Sequence, residues 1–302
     1  MTRTRGVFSV CPTPFKPGGE LDLKSLERLI NFLLEAGING LTVLGVMGEL
    51  HKLNTFERRR VIETAVAAVR GAVPVWAGVR DLGLAGALEQ ARRAEDLGAD
   101  AILVAPLANV DESIQVAYYR QIVDSVRVPV VIHDFPELFA ANVGPQAVAR
   151  LVREAGVSVL YTEDPPVGPK VTAVRALSGD SLRIFTGLGG LHFPEELERG
   201  ADGVVTGFSF PEILLKVYAL HSAGDTEQAA SVFDRYCSLI RYEFQPLIAL
   251  ALRKYSYMRR GLIESDAVRA PARALDGVSK AEYETVVRRL GLALPSRPVQ
   301  FV

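Results

Sequence analysis

Two apolar stretches of this chain end in side chains that could move protons. Residues 157–161 read V-S-V-L-Y, closed by Tyr161, and residues 128–133 read V-P-V-V-I-H, closed by His133. An imidazole gains and loses a proton near neutral pH, and a phenol hydroxyl can donate one. We therefore predict that His133 and Tyr161 are catalytic, provided that the fold brings them together. The alternative for each is a buried side chain that fills volume and satisfies one hydrogen bond.

Acidic residues lie close to Tyr161 and to a glycine-rich loop. Glu163 and Asp164 follow Tyr161, and Glu49 ends the loop G-V-M-G-E at residues 45–49. For Glu163 and Asp164 we expect a loop salt bridge or a helix cap. For Glu49 we expect an architectural carboxylate that accepts hydrogen bonds from backbone N–H groups.

The composition limits the classes of function. The 302 residues are 49% apolar, enough for a large core. The formal net charge of −1 argues against nucleic-acid and membrane-surface partners, which need a basic face. The two cysteines, Cys11 and Cys237, lie far apart without metal-type spacing, and we expect both to be reduced. No stretch predicts a signal peptide or a membrane span, so we expect a soluble cytoplasmic protein.

A weak internal repeat indicates the fold. The stretches at residues 35–45, 96–106 and 198–208 each combine a helix end, a glycine expected in the left-handed conformation and a β-branched strand. Further apolar runs of strand length are continuous rather than alternating, which is typical of parallel strands buried on both faces. These runs cover residues 7–10, 73–79, 128–133, 157–161 and 182–186.

Helical periodicity fills the intervals between these strands. Apolar residues three and four apart predict helices at Leu23–Leu34, Phe56–Val69 with a start near Thr55, Ala85–Leu97, Ile114–Val126 and Val143–Ala155. Eight strands that alternate with helices predict an α/β fold, a (β/α)8 TIM barrel, over residues 1–222. An open doubly wound sheet is the alternative, but no G-x-G-x-x-G follows the first strand.

The strand signals stop near residue 210. From there we predict helices at Pro211–Ser222, Thr226–Ile240, Glu243–Arg260 and Lys280–Leu290. Residues 223–302 are therefore predicted to form a C-terminal helical extension packed on the barrel. In such barrels the reacting groups lie at the carboxyl ends of the strands, which is where His133 and Tyr161 fall.

The ends of the predicted strands resemble those of a known family. T-P-F at residues 13–15, G-x-x-G-E at 45–49, the proline at 136 and the acid after the sixth strand match the dihydrodipicolinate synthase / N-acetylneuraminate lyase family of (β/α)8 aldolases. The resemblance covers nearly the whole chain. It implies a class I aldolase or dehydratase, in which a lysine at the end of strand six forms a Schiff base with pyruvate or a related 2-oxo acid. It also implies that a tyrosine at the end of strand five moves protons.

The same resemblance implies a substrate site and an assembly. In the family the loop after strand two holds the substrate carboxylate, and the loop after strand seven lines the pocket. The residues of this chain assigned to substrate binding on that basis are Gly45, Val46, Met47, Gly48, Gly187 and Val205. The implied ligand is a small-molecule carboxylate, and the implied assembly is a homo-oligomer, a dimer or a tetramer. We expect no cofactor, and no metal because spacings such as H-x-H or H-E-x-x-H are missing.

The chain departs from the family where the chemistry lies. Tyr161 stands at the position of the lysine, His133 at that of the tyrosine, and Val46 and Met47 at those of two threonines. A phenol cannot form an iminium ion, so the standard mechanism is excluded at this position.

These departures leave three hypotheses open. The first is a lyase-type enzyme that acts on a small 2-oxo acid or related carboxylate without a Schiff base. The second is a catalytically inactive pseudoenzyme that binds a small ligand. The third is an aldolase with a relocated lysine, Lys52 or Lys170, both predicted on loops at the mouth of the barrel.

Overall fold

Eight parallel strands form a closed barrel in the computed structural model, which describes residues 4–299. Their order is that of the sequence, and β1 pairs with β8 to close the ring. The strands are β1 (Gly6–Val10), β2 (Gly40–Val43), β3 (Val75–Val79), β4 (Ala101–Val104), β5 (Val130–Asp134), β6 (Val159–Thr162), β7 (Arg183–Thr186) and β8 (Gly203–Thr206). The predicted TIM barrel is confirmed. Residues 1–3 and 300–302 of the predicted domain ranges lie outside the described residues.

Helices connect the strands on the outside of the barrel. They are α1 (Leu23–Ala36), α2 (Thr55–Val69), α3 (Leu84–Asp96), α4 (Glu112–Ser125), α5 (Pro136–Phe139), α6 (Pro145–Ala155), α7 (Val167–Ser178), α8 (Phe193–Glu198) and α9 (Pro211–Ser222). Three of them, α5, α7 and α8, were not predicted. Each has a proline at its cap or in its first turn, a position that suits the fixed φ of proline but that also reads as a turn in the sequence.

Local signals in the sequence set the helix ends. The glycines of the internal repeat, Gly37, Gly98 and Gly200, have φ angles of 89°, 93° and 92°, in the left-handed region that disfavours other residues. The start of α2 carries a capping box, in which Asn54 and Glu57 each accept the other's backbone N–H. The predicted glycine ends and the predicted start of α2 are therefore confirmed.

Aromatic rings fill the interior of the barrel. The rings of Phe8, Trp76 and Phe185 contact one another with centroids 4.5, 4.9 and 5.2 Å apart. Val205 belongs to the same buried cluster. These side chains fill the interior of the barrel. A ligand can therefore reach polar side chains only at the carboxyl ends of the strands.

Three further helices follow the barrel, α10 (Thr226–Glu243), α11 (Ala249–Arg259) and α12 (Gly277–Arg289). One apolar cluster joins their side chains to Val7 of β1 and Val204 of β8. The predicted helix start at Glu243 is wrong, because Glu243 ends α10 and the chain turns before α11. Pro246 has no N–H and disfavours a helical residue before it, and Leu247 has a φ of 68°. No helix within residues 4–299 is long and apolar enough to cross a membrane.

A buried carboxylate joins the loop after β2 to α11. Oε1 of Glu49 accepts a hydrogen bond from Nζ of Lys254 at 2.5 Å. Its Oε2 accepts from Nζ of Lys52 at 2.8 Å and from the backbone N–H of Arg269 at 3.2 Å. Burial lowers the pKa of Lys254 to about 8, although Glu49 opposes this change. Glu49 thus accepts one backbone N–H, as expected, but its main partners are two ammonium groups.

A second buried carboxylate lies on α8. Neither oxygen of Glu196 forms a hydrogen bond with a described residue. Burial raises the pKa of Glu196 to about 7, opposed by the nearby hydroxyl of Thr186. The group therefore favours its protonated form in the folded state.

We expect Glu49→Gln to lower the free energy of unfolding by about 3–5 kcal/mol, because it leaves two buried ammonium groups without a negative partner. The measurement is urea unfolding followed by circular dichroism. Glu63→Gln is the control, since Glu63 pairs with Arg59 at 2.7 Å on the surface of α2. It should change the free energy of unfolding by less than about 1 kcal/mol. Similar small losses in both variants would refute a structural role for Glu49.

We expect Glu196→Gln to raise stability at high pH only. In the wild type the folded state keeps the Glu196 proton up to about pH 7, whereas the unfolded chain releases it near 4.5. Stability from this group therefore falls as the pH rises through that window and is constant above it. The variant should be more stable by about 3 kcal/mol near pH 8 and nearly unchanged near pH 4.

Urea unfolding at the two pH values tests this expectation. Glu195→Gln is the matched control, because Glu195 is the exposed neighbour of Glu196 on the same helix. A gain in stability that is equal at both pH values would contradict the assignment of the raised pKa to Glu196.

Candidate active site

His133 and Tyr161 lie side by side at the carboxyl ends of β5 and β6. They are partners in the register of the two strands, and their rings stack with centroids 4.6 Å apart and an interplanar angle of 16°. The ring of Phe139 meets the His133 ring edge-on, at 4.9 Å. Both residues are buried. The fold therefore brings the two predicted residues into contact, and their catalytic role stays a prediction.

Glu163 reaches His133 from the residue after β6. Its Oε2 lies 3.2 Å from Nε2 of His133, and its Oε1 accepts the N–H of Leu188 at 3.0 Å. In a neutral imidazole this contact places the hydrogen on Nε2 and leaves Nδ1 as the basic nitrogen. Glu163 is thus part of the mouth of the barrel, where we had expected a loop salt bridge or a helix cap.

Gly187 makes room for this carboxylate. A Cβ atom at residue 187 would lie 2.4 Å from Cγ of Glu163, closer than side chains can approach. Any other residue would therefore push Glu163 away from His133. The structure places Gly187, a predicted substrate-binding residue, in contact with Glu163.

The Tyr161 hydroxyl is held in its protonated form. Burial raises the pKa of Tyr161 well above 10, and the negative charge of Glu163 adds to the effect. A phenol of this kind can donate a hydrogen bond to an oxygen that gains charge, but it cannot serve as a base at neutral pH.

A small cavity lies beside His133. Its volume is about 20 Å³, enough for roughly one water molecule. Gly45 and Val46 line it from the loop after β2, and Phe139 lines it from α5. In this conformation the cavity is smaller than a 2-oxo acid.

The other predicted binding residues have different surroundings. Met47 packs against the interior cluster that contains Tyr161 and Val205. Val205 itself is fully buried in that cluster. Gly48 faces the first strand's loop, and its backbone oxygen accepts the hydroxyl of Thr13 at 2.6 Å. Of the predicted substrate-binding residues in the loop after β2, Gly45 and Val46 thus border the cavity.

His51 lines the same cavity. Burial lowers the pKa of His51, and the positive charges of Lys52 and Arg80 lower it further. The imidazole is therefore held neutral near the mouth. Within residues 4–299, however, no three His, Cys, Asp or Glu side chains are grouped as a metal site would require.

The predicted loop position of Lys170 is wrong, whereas Lys52 lies in the connection between β2 and α2 as predicted. Lys52 lies in a short 3₁₀ helix, Leu50–Lys52, and Lys170 lies in the first turn of α7, where Pro166 caps the helix. The sequence E-D-P-P suggested a loop because prolines also mark turns.

Both amines are engaged by carboxylates. Nζ of Lys170 lies 2.7 Å from Asp134 and 2.8 Å from Asp164, which confirms the salt bridge expected for Asp164. Asp134 follows His133 on β5, and since successive side chains of a strand alternate, Lys170 lies outside the ring of strands. Nζ of Lys52 is bound to Glu49.

Arg253 of α11 was not predicted, and its guanidinium reaches the ends of β7 and β8. A Cβ atom at Gly207 would lie 2.9 Å from Nη1, and one at Gly189 would lie 3.1 Å from Nη2. Burial lowers the pKa of Arg253, whereas the carboxylates of Glu243 and Glu163 raise it. An arginine in a helix usually belongs to the solvated surface, so sequence periodicity alone could not have found it.

Comparison with known proteins agrees with this architecture. Residues 3–290 match the model of the dihydrodipicolinate synthetase family. An L-2-keto-3-deoxyarabonate dehydratase of Azospirillum brasilense is 28% identical over 296 residues, which cover 95% of each chain. A probable 2-dehydro-3-deoxy-D-pentonate aldolase of Escherichia coli (strain K12) is 31% identical over 276 residues, covering 87% of this chain and 89% of that protein.

A solved structure shows the same relationship. The crystal structure of dihydrodipicolinate synthase from Rhodopseudomonas palustris superimposes with a TM-score of 0.90 at 34% identity, over 95% of this chain and 98% of that one. Together with the family match across nearly the whole sequence, this likeness confirms the resemblance found at the strand ends. The chain therefore belongs to the dihydrodipicolinate synthetase family.

Proposed function

We propose that this protein is a lyase-type enzyme that acts on a small 2-oxo acid or a related carboxylate without forming a Schiff base on β6. The observation that carries the proposal is the contact of Glu163 with His133, beside the hydroxyl of Tyr161, at the end of the barrel where catalytic groups lie. Strand β6 reads V-L-Y-T and holds no amine.

The proposed roles follow from the hydrogen bonds. Glu163 orients the imidazole, so that Nδ1 of His133 is the basic nitrogen that takes a proton from the substrate and later returns it. The neutral phenol of Tyr161 donates a hydrogen bond to the substrate oxygen on which negative charge develops. Enolisation of a 2-oxo acid needs these two functions, since a proton leaves carbon while the carbonyl oxygen gains charge.

The named relatives support the substrate class. One is a dehydratase of a 2-keto-3-deoxy sugar acid, and another is a probable aldolase of a 2-dehydro-3-deoxy sugar acid. Both names describe 2-oxo acids, in which the proton next to the carbonyl is acidic. We extend that substrate class, and not the lysine chemistry, to this chain.

Two alternatives remain as competing proposals. The cavity of about 20 Å³ beside His133 favours a pseudoenzyme, because it holds roughly one water molecule. The second alternative, an aldolase with a relocated lysine, requires an amine other than one on β6. The candidates are Lys52 and Lys170, which are paired with carboxylates, and Lys254, whose pKa is lowered to about 8 and which is bound to Glu49.

We also propose that the chain forms a homo-oligomer, a dimer or a tetramer, in the cytoplasm. Large apolar side chains, among them Leu82 and Ile114, are 83% and 48% exposed in the single chain. Exposed apolar side chains are covered when they lie at an interface between subunits.

Incubation with pyruvate and borohydride tests the absence of the Schiff base. We expect intact-mass spectrometry to show no reduced adduct, because β6 carries no amine and because Lys52, Lys170 and Lys254 are each engaged by a carboxylate. A family member that carries the lysine on strand six, treated in parallel, is the positive control. An adduct that maps to Lys52, Lys170 or Lys254 would establish the relocated lysine instead.

Turnover of a panel of 2-oxo acids and 3-deoxy sugar acids tests the two catalytic roles. We expect His133→Ala to lower kcat/KM by roughly 10²–10⁴-fold, because it removes the base. Tyr161→Phe keeps the stacked ring but loses the hydroxyl, and it should lower kcat by about 10²-fold.

His221→Ala is the control for these variants. Nε2 of His221 lies 3.1 Å from Oε1 of Glu198 on the protein surface, so it repeats the histidine–glutamate contact outside the mouth. Its activity should equal that of the wild type. Unchanged rates in His133→Ala and Tyr161→Phe would refute the roles, and a wild type that turns over no member of the panel would favour the pseudoenzyme.

A further inference from the structure

Arg253 is a buried cation with an unsatisfied donor. The residue is 3% exposed, and its Nε has no hydrogen-bond partner among the described residues. The carboxylate next to it, that of Glu243, is 3.9 Å from Nε, too far for a hydrogen bond. Glu243 instead accepts hydrogen bonds from the hydroxyl and the backbone N–H of Ser209.

A neighbouring arginine shows how this fold satisfies a structural guanidinium. Arg260, which caps α11, is equally buried, but its Nη1 donates to the backbone oxygen of Ser209 at 2.8 Å. Its Nη2 donates to Oε1 of Glu212 at 2.7 Å. Leaving a buried charged donor unpaired is costly, so the contrast indicates that Arg253 is kept for a partner from outside the chain.

Two glycines make room for the guanidinium at the ends of β7 and β8. The guanidinium of Arg253 occupies the positions that Cβ atoms at Gly189 and Gly207 would crowd. The Cγ atom of Met47 would lie 3.1 Å from the same Cβ at Gly207, so this side chain covers the guanidinium. Methionine is unbranched and changes conformation readily, which suits a cover that moves when a ligand enters.

The two residues of the loop after β2 between Gly45 and Gly48 carry no side-chain donor. Val46 and Met47 of the loop after β2 are apolar, so they cannot hydrogen-bond a carboxylate through their side chains. The negative charge of Glu163 is close enough to raise the pKa of Arg253, and the positive charge of Arg253 in turn acts to lower the pKa of Tyr161. A planar guanidinium binds a carboxylate through two parallel N–H···O bonds, a geometry that an ammonium group cannot copy.

We propose that Arg253 is the carboxylate-binding residue of the mouth, and that it places the neighbouring carbonyl of a 2-oxo acid against Tyr161. The identity of the ligand as a small carboxylate rests on the proposed function. The presence of an anion site at Arg253 rests on its buried guanidinium with an unpartnered Nε and on the two glycines that admit this guanidinium at the strand ends.

Thermal unfolding of the full chain with small probes tests for the site. Pyruvate and acetate are compared with their neutral analogues, pyruvamide and acetamide, and with inorganic phosphate. We expect the Tm to rise with pyruvate and acetate concentration, because binding to the folded state stabilises it, and to stay constant with the amides. Equal effects of acid and amide, no effect of any carboxylate, or protection by phosphate alone would each overturn the proposal.

Two methionine variants then separate binding from folding. Arg253→Met should weaken pyruvate binding about 10- to 100-fold in titration calorimetry, because it loses a charge-assisted pair of hydrogen bonds. Its Tm without ligand should stay close to that of the wild type, since Nε of Arg253 makes no hydrogen bond and Glu243 keeps its hydrogen bonds from Ser209. Arg260→Met should lower the Tm, because it leaves Glu212 without its cation.

Chemical rescue gives a readout that a structural role would not produce. Arg253→Ala should regain pyruvate binding when guanidinium ion is added, and Arg253→Lys should bind more weakly than the wild type. Unchanged pyruvate affinity in Arg253→Met would overturn the proposal even if the enzyme turns over 2-oxo acids. Conversely, lost binding in Arg253→Met would support it even if no turnover is found.

Discussion

The fully buried carboxylate of Glu49 holds the mouth of the barrel in one geometry. It binds Lys254 at 2.5 Å and Lys52 at 2.8 Å, and so joins the loop after β2 to α11. Removing three charges from water is costly, and only their close mutual contact offsets that cost. Val46 and Met47 precede Glu49 in its loop, and Arg253 precedes Lys254 in its helix. The contacts of Glu49 with the two lysines therefore set the positions of Val46 and Met47 on one side of the site and of Arg253 on the other.

One buried charged group at the mouth of the barrel lacks the hydrogen-bond partners that charged groups elsewhere in the core have. Glu163 has two partners, His133 and the N–H of Leu188, whereas Arg253 has a carboxylate only at 3.9 Å. Arg260, by contrast, has hydrogen bonds on both terminal nitrogens. Active sites commonly keep groups that the folded chain alone leaves unsatisfied, at a cost in stability. Two arginines of α11 and its end therefore differ in role: Arg253, which lacks a hydrogen-bonded carboxylate, is proposed to bind a ligand, whereas Arg260 stabilises the fold.

The barrel could be predicted because its signals are local, whereas much of the site could not. Strands buried on both faces leave continuous apolar runs, and the adjacency of strands five and six implied that His133 and Tyr161 meet. The place of Lys170 was wrong, because a proline that begins a helix resembles one in a loop. Arg253 was missed, because its sequence pattern is that of a surface helix. Its burial depends on contacts with loops far away in the chain, and the periodicity of apolar residues gives no information about such contacts.

The position of Arg253 on α11 has a consequence for the order in which the protein is made. Strand β8 ends at Thr206, so a ribosome completes the ring of strands before it synthesises α11. A nascent chain at that point has His133, Tyr161 and Glu163 but no guanidinium at the mouth. Domains acquire structure as they emerge during synthesis. The ring of strands and the guanidinium of its mouth therefore come from separate parts of the chain, and the site is complete only after the C-terminal helices have been synthesised.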